Sequence, residues 1–595
     1  MKNLILICAA CIIGSLSTSC EKMFGNFLEK APGVDITVDT LFSSPAQVEI
    51  LLAGIYEQGL YNAYPTNLWK IGTTTYNNYN NYSFVCNAST TDEMEANTGW
   101  WQSNTNNIGN WSVGTGTTYD TRYYVRWYVI RQANLMLENV SKSPIDANYA
   151  NQIKGEMKFI RAINYFEAWR EFGGQPIIDK VVGVTDPLIK QSSCDSTVNF
   201  MLKDVQEAIA VLPDTYPTNL RGRITKGAAL MLKAKILLYA ASPQWNTATP
   251  IVSAVNPADN RFICLMTKDV NRWKVAADAA KAAIDWAPSG GIALVTDKGV
   301  DKNFKYVWEI PDNPEIILAS KNQKTAGKYT SNSPWSIMVN GAFNSGGWSG
   351  FNPTQNFIEK FYDKRDGTPQ TWSDTGNDLN QKYAELDYRF KQSIAYNGNY
   401  FNWAAPIVET FLGPGTVGKH SSLCITGYWL YKFIPENWRN QSGVYNLEVN
   451  WPIFRLADAY LWYAEALNEF NGTPPQAAYD AINIIRSRSG MPNLPTGLTQ
   501  VQFRDRLIKE RAVEFFAEES RFWDVRRWLI AGQDGIESGP MTGLKIYKIT
   551  GTTPQQYSYQ RFVFENRVWL GDKLYYWPHN PTEVMKGVFT QNPLW

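Results

Sequence analysis

The chain has 595 residues, with 56 Lys and Arg against 55 Asp and Glu, and only two histidines. A near-neutral balance without basic blocks argues against a nucleic-acid binder and against a polybasic membrane patch. A Ser-His-acid or Cys-His catalytic site would need His420 or His579, and neither has a supporting motif around it.

Before Cys20 the only charge is Lys2, and residues 4–14 form an almost unbroken apolar run. About a dozen apolar residues is too short for a membrane span and suits the core of a secretory signal. Ser17, Thr18 and Ser19 supply small residues ahead of the cysteine. Residues 1–19 therefore read as a lipoprotein signal peptide with Cys20 as the lipidated first mature residue; an ordinary secreted protein cut nearby is the alternative. No later run of about 18 apolar residues exists, so no membrane-spanning helix is predicted.

Helical periodicity appears over 45–61, 119–140, 149–172, 197–212, 226–241 and 273–286. Two further helices, 454–470 and 475–489, are joined by Asn471-Gly472-Thr473-Pro474, where Gly472 stops one and Pro474 or Pro475 starts the next. The last are 501–519 and 521–531. Trp127, Trp169, Trp273, Trp462 and Trp523 fall on the apolar stripes and are predicted to be core. Ala276, Ala277, Ala280 and Ala283 permit close helix approach. Such pairs look like tetratricopeptide units, although no uninterrupted repeat of about 34 residues is visible. Between them lie Gly-, Asn- and aromatic-rich stretches, 62–118, 242–271 and 287–441, with strand-like runs at 315–319 and 427–433. Loops of this length in a compact protein are usually functional.

Within 509–528, Glu510, Glu514, Glu518 and Arg521 fall four, four and three residues apart and would line one side of a helix. Acids placed among so many aromatics need nearby arginines, because an unpaired buried charge is expensive. A structural ion network is expected, with an acid/base site as the alternative. Cys86, Cys194, Cys264 and Cys424 show no zinc spacing and are too few to build a disulfide fold. They are read as buried thiols, with one bridge as the alternative. No Gly-rich phosphate loop or HExxH occurs, and no CxxC occurs after Cys20. No metal or cofactor is expected, and no carboxylate pair for glycoside hydrolysis stands out.

Binding has positive support. A sugar ring exposes C–H groups on its face, which a flat indole or phenol covers, and hydroxyls at its edge, which amides read. Exposed aromatics beside amides on loops occur twice. The first stretch, 91–111, offers Trp100, Trp101, Asn106 and Trp111. The second, 329–348, offers Tyr329, Trp335, Asn340 and Trp348. Tyr76, Tyr79 and Tyr82 are weaker candidates, and Trp372, Tyr400 and Trp403 form a looser third set.

Several segments resemble one family in the right order. Ser19-Cys20-Glu21 followed by Phe27-Leu28-Glu29-Lys30-Ala31-Pro32 looks like its lipidated start, and Phe172-Gly173-Gly174-Gln175-Pro176-Ile177 like its "GG-x-P" turn. Asn352-Pro353-Thr354-Gln355-Asn356 through Phe361 resembles its "PTQ-N" helix start. Arg455-Leu456-Ala457-Asp458, Tyr463-Ala464-Glu465-Ala466-Leu467-Asn468, Asn483 through Arg488 and the 509–528 stretch resemble its C-terminal signature. Tyr576-Trp577-Pro578-His579-Asn580-Pro581-Thr582-Glu583 departs from the usual "P-I-P-x-x-E", while Gln591 through Trp595 keeps the typical ending. The chain thus resembles the SusD/RagB family, outer-membrane nutrient-binding lipoproteins of Bacteroidetes.

That resemblance implies a mainly α fold of tetratricopeptide-like helix pairs in a right-handed superhelix, with long irregular insertions and a few short strands. It implies one unit over 20–595, with ligand-binding insertions at 62–118 and 287–441 and a signature region at 451–595. Asp92 and Glu93 resemble a structural turn before the binding loop. The implied role is capture of an oligosaccharide or polysaccharide at the cell exterior. The protein would be anchored in the outer membrane through Cys20 and would deliver the ligand, without catalysis, to a SusC-like TonB-dependent transporter. A RagB-type peptide carrier, a glycoside hydrolase and a structural scaffold are the rivals.

Overall fold

The structure is a computed structural model that describes residues 37–60, 68–71, 74–77, 87–97, 102–113, 123–322, 350–401, 406–413, 418, 424–433 and 449–595. The helices used below are α1 (Pro45–Gly59), α2 (Gln102–Asn107), α3 (Tyr123–Asn139), α4 (Ala147–Phe172), α5 (Cys194–Val211), α6 (Lys226–Ala241) and α7 (Asn271–Trp286). They continue with α8 (Gln355–Phe361), α9 (Leu456–Asn471), α10 (Gln476–Arg488), α11 (Gln500–Glu514) and α12 (Ser520–Arg527). Local chemistry explains many of the starts. Asp146 accepts from the amides of Asn148 and Tyr149, Ser193 from Ser196, and Thr225 from Ala228. Thr499 and Gln502 form a reciprocal capping box. Gly472, at φ 69°, closes α9 in the left-handed region, which lets the chain turn back into α10.

Consecutive helices pack on one another from α3 to α7, α7 then meets α9, and α9 packs on α10. This is tetratricopeptide-like stacking, and the fold is mainly α. Helices α6 and α7 pack tightly at Gly227, where a Cβ would stand 1.9 Å from the Trp286 ring. Gly227→Ala is therefore expected to cost about 1–3 kcal/mol by overpacking. An unchanged thermal melt would contradict that contact.

The strands are short and few: β1 (Met94–Ala96), β2 (Ile316–Asn322), β3 (Phe351–Pro353), β4 (Val449–Arg455), β5 (Gly539–Ile549) and β6 (Gln556–Arg567), besides some shorter ones. Antiparallel pairs join β1 to β3, β2 to β4 and β5 to β6. The largest apolar cluster lies under α1, α3–α7 and α9. A second surrounds β3, α8 and the β5–β6 hairpin, and a third fills the space between α9, α10 and α11.

Three expectations need correction. The helix expected over 501–519 ends at Glu514, because Ala517 and Glu519 take positive φ values of 62° and 65°. Such a conformation cannot continue a right-handed helix. Arg521 consequently belongs to α12 and does not share a helical face with Glu510 and Glu514. Phe454, expected to open a helix, sits in β4. The β5–β6 hairpin was not among the expected elements; its residues 542–549 pair regularly with 556–563, with one register shift between Met541 and Thr542. The core assignments hold for Trp169, Trp273, Trp462 and Trp523, whereas Trp127 is only half-buried. Cys194 and Cys264 are buried free thiols and Cys424 is a half-buried one.

Candidate functional site

Trp100, Trp101, Tyr329, Trp335, Asn340 and Trp348 lie outside the described residues, as do Cys20, Tyr79, Tyr82, Cys86, Trp403 and His420. The segments from which the two aromatic stretches depart are described, and they meet. In the β1–β3 ladder Met94 pairs with Pro353, Glu95 with Asn352 and Ala96 with Phe351. One step further, the Asn97 amide donates to the Gly350 carbonyl at 3.0 Å. The first stretch therefore leaves, and the second arrives, at the same end of one ladder. About 250 residues of sequence separate them, too far for any periodic signal to reveal the pairing.

Buried charge fixes this ladder to the rest of the molecule. Arg521 grips both oxygens of Asp92, at 2.6 and 2.7 Å. The guanidinium of Arg567, fully buried, donates to Glu95 Oε2 at 2.7 Å, to the Ser89 and Met94 carbonyls at 3.0 and 2.9 Å, and to the Thr91 carbonyl. Asn107, at the end of α2, donates to the Ser89 carbonyl at 3.1 Å and to Glu565 Oε2 at 3.1 Å. Asn104 reaches back to the Ala96 carbonyl at 3.0 Å, so both ends of the segment between β1 and α2 are tied together. The expected structural role of Asp92 and Glu93 is what the geometry provides.

Glu93 is the costly member of this set. Its Oε1 accepts from the Ala517 amide at 3.0 Å, while its Oε2 is buried without a partner. Burial pushes its carboxyl up to about 8. Between the ordinary carboxyl range and about pH 8 the folded state thus holds a proton that the unfolded state has lost, so stability falls as pH rises through that window. Glu93→Gln should lessen this slope without abolishing it, since burial raises Glu95 to about 8 as well, and should be more stable than the parent at pH 8.5 by about 1–3 kcal/mol, with the difference shrinking toward pH 5. A parallel shift at every pH would contradict a protonated Glu93.

Of the remaining candidates, Asn106 is half-buried on α2. Trp111 is half-buried and meets Trp577 edge-on at 6.4 Å. Trp372 packs against Tyr559 at 5.8 Å, and Tyr400 is exposed. His579 stacks between Phe172 and Phe589, at 5.5 and 4.3 Å, and burial lowers it to about 3. It is neutral at physiological pH and lies in the core, where it packs rather than serving as an exposed base.

The acids of the C-terminal signature are committed as well. Glu514 accepts from Arg455 at 2.6 Å, Arg389 at 3.1 Å and Arg488. Glu510 is held by Arg389 and Arg486 at 2.5 and 2.9 Å, and Glu518 by Lys432 and Arg455 at 2.5 and 2.9 Å. Glu315 joins Arg455 and Arg488 at 3.0 and 2.6 Å. The surrounding guanidinium groups, Arg488 foremost, hold the Glu514 carboxyl far below its ordinary range despite its burial. A permanently charged, fully bonded carboxylate moves no proton. This is the expected ion network.

One feature escaped the sequence reading. A groove of about 410 Å³ opens between α3, the 176–189 segment and the C-terminal 583–589 segment, with Tyr124, Trp127, Leu188 and Phe589 among its walls. The signal available was the aromatic stripe Tyr123, Tyr124, Trp127 and Tyr128, broader than one buried face requires.

Comparison with known proteins gives one consistent picture. Residues 314–595 match the family model described as the SusD family, and residues 26–238 match one described as starch-binding and associating with the outer membrane. A SusD-like protein of Formosa agariphila is 24% identical over 536 residues, covering 86% of this chain and 87% of its own. The crystal structure of a SusD-like protein from Bacteroides fragilis superposes with a TM-score of 0.73 at 24% identity, covering 95% of this chain and all of that one. A laminarin-binding SusD-like protein superposes at 0.57 with 19% identity, covering 93% of this chain and 100% of its own. Among the described residues no helix is long and apolar enough to cross a membrane.

Proposed function

Because this chain belongs to the SusD/RagB family, we propose that it is a cell-surface lipoprotein which captures an oligosaccharide or polysaccharide and delivers it to a SusC-like TonB-dependent transporter. The anchor is a lipid on Cys20, and the protein is one unit over 20–595. Capture breaks no bond; the ligand is held and passed inward.

The observation that carries this reading is the Asn97–Gly350 hydrogen bond, which joins the described segments that lead into the two aromatic stretches. Trp348 is two residues from Gly350 in the sequence, and Trp100 is three from Asn97. Indoles tethered that closely can cover neighbouring sugar faces, with Asn106 and Asn340 as hydroxyl readers. The family description "starch-binding" and the laminarin-binding relative support a glycan over a peptide.

Calorimetry across a panel of soluble glycans and peptides tests the proposal. We expect saturable glycan binding, weakened by about 1–3 kcal/mol in Trp335→Ala or Trp348→Ala. A loss under ~0.3 kcal/mol for both, with an unaltered melt, would remove the second stretch from the site. Release of reducing sugar from any bound glycan would replace the carrier reading with a hydrolase, and binding confined to peptides would favour a RagB-type carrier.

A further inference from the structure

Beside the β1–β3 ladder, two carboxyl groups meet one guanidinium. Glu95, in β1, and Glu565, in β6, lie within hydrogen-bonding reach of each other. Their Oε2 atoms share the amide donor Asn107 Nδ2, at 3.4 and 3.1 Å, and the guanidinium of Arg567, at 2.7 and 3.1 Å. The Ala96 amide donates to Glu95 Oε1 at 3.1 Å. Glu95 is buried, whereas the side chain of Glu565 is 16% exposed and touches water.

The neighbouring cations are committed to acids of their own. Arg521 and Arg526, on α12, hold Asp92 and Glu537, and Lys360, on α8, reaches Asp92 at 3.7 Å. Glu93 and Glu519 lie close to Asp92 and Arg521 and bring further acid, not a counter-charge. Arg567 is thus left to balance two carboxylates, and two like charges in contact resist ionising together where water is scarce. One proton between Glu95 and Glu565 restores the balance, because one carboxyl then donates and the other accepts. Burial foremost, with the Glu565 carboxylate beside it, pushes Glu95 up to about 8 against the pull of Arg567.

We infer that Glu95 and Glu565 form a one-proton latch, which clamps β1 and α2 to the β5–β6 hairpin while the proton is held and releases α2 when it is lost. Its effect on the ligand rests on the glycan reading above, since α2 carries Asn106, one of the hydroxyl readers named there. Losing the proton puts two negative charges in contact. Glu565, the member that touches water, turns outward, and Asn107 at the end of α2 loses its bond to β6. Glycan affinity therefore falls as pH rises.

Two measurements on the purified full-length protein in detergent test the latch. Calorimetry with laminarin and starch oligosaccharides should give an affinity about tenfold weaker at pH 9 than at pH 7, the loss expected when one proton near pH 8 sets the competent fraction. Glu565→Gln puts a permanent amide hydrogen where the proton sat, so its affinity should change by less than about twofold over that range. Amide hydrogen exchange without sugar reads the latch by itself. At pH 9 the amides of 103–108 should exchange about tenfold faster in the parent than in Glu565→Gln, and equally at pH 7. Comparing the two proteins at one pH cancels the intrinsic pH dependence of exchange. A parent-like loss of affinity in Glu565→Gln would assign the pH dependence to Glu93 and overturn the latch. Equal exchange of the two proteins at pH 9 would overturn it whether or not a sugar binds. Faster exchange in the parent at pH 9, with no binding to any glycan, would uphold the latch and overturn the glycan reading instead.

Discussion

Glu514→Ala is expected to lower the unfolding free energy by about 3–5 kcal/mol, the usual cost of removing one partner from a buried charge cluster. The side chain of Glu514 is wholly buried and accepts from Arg389, Arg455 and Arg488. Each arginine retains another acid, but the balance is lost. Arg389, Lys432, Arg455, Arg486 and Arg488 face Asp387, Glu315, Glu510, Glu514 and Glu518, five charges against five. Deleting one leaves a net positive charge in an apolar setting, where it cannot be solvated. The same site sets an acid limit. Since the folded pKa of Glu514 is depressed, its contribution is present above the unfolded value and is lost as pH falls below the ordinary carboxyl range. Denaturant unfolding from pH 7 to pH 3 should show that decline in the parent and a flatter profile in Glu514→Ala. Equal stability of the two at pH 7 would sink the ion-network account.

Arg567→Ala should be comparably damaging, by about 3–5 kcal/mol, for a different reason. Its guanidinium spans the turn leading into β1, donating to three carbonyls as well as to Glu95 and Glu565. Buried carbonyls that lose a donor cost free energy individually; here those of Thr91 and Met94 lose Arg567, while Ser89 keeps Asn107. Arg567→Lys keeps the charge but not the planar fork, so it should recover only part of the loss. Because this turn carries the β1 end of the ladder, glycan affinity should fall in Arg567→Lys even at temperatures well below its melt. Full recovery by lysine would mean that charge alone matters, and geometry does not.

Much of the architecture was legible in advance. Lys226–Ala241 has the expected bounds, Ala147–Phe172 differs from expectation only at its start, and Cys194–Val211 begins three residues earlier and ends one residue earlier than expected. In these segments the apolar period and the caps act within a few residues of each other, which is all a linear reading needs. The same logic found strands at Ile316–Asn322 and Tyr428–Leu430 and the turn at Gly472. It overextended α11, since the positive φ at Ala517 is imposed from outside the segment. There the chain bends so that the Ala517 amide meets Glu93 and the Glu518 carboxylate meets Arg455 and Lys432.

The sequence by itself determined that acids and arginines of the signature must pair, and that aromatic, amide-rich loops interrupt a helical frame. Both follow from local composition, because a buried charge needs a partner wherever that partner comes from. Only the tertiary structure decided which partners meet: Asp92 with Arg521, Glu95 with Arg567, and residue 97 with residue 350. Such contacts are chosen by the packing of distant elements against one another, and neither spacing nor periodicity carries that choice.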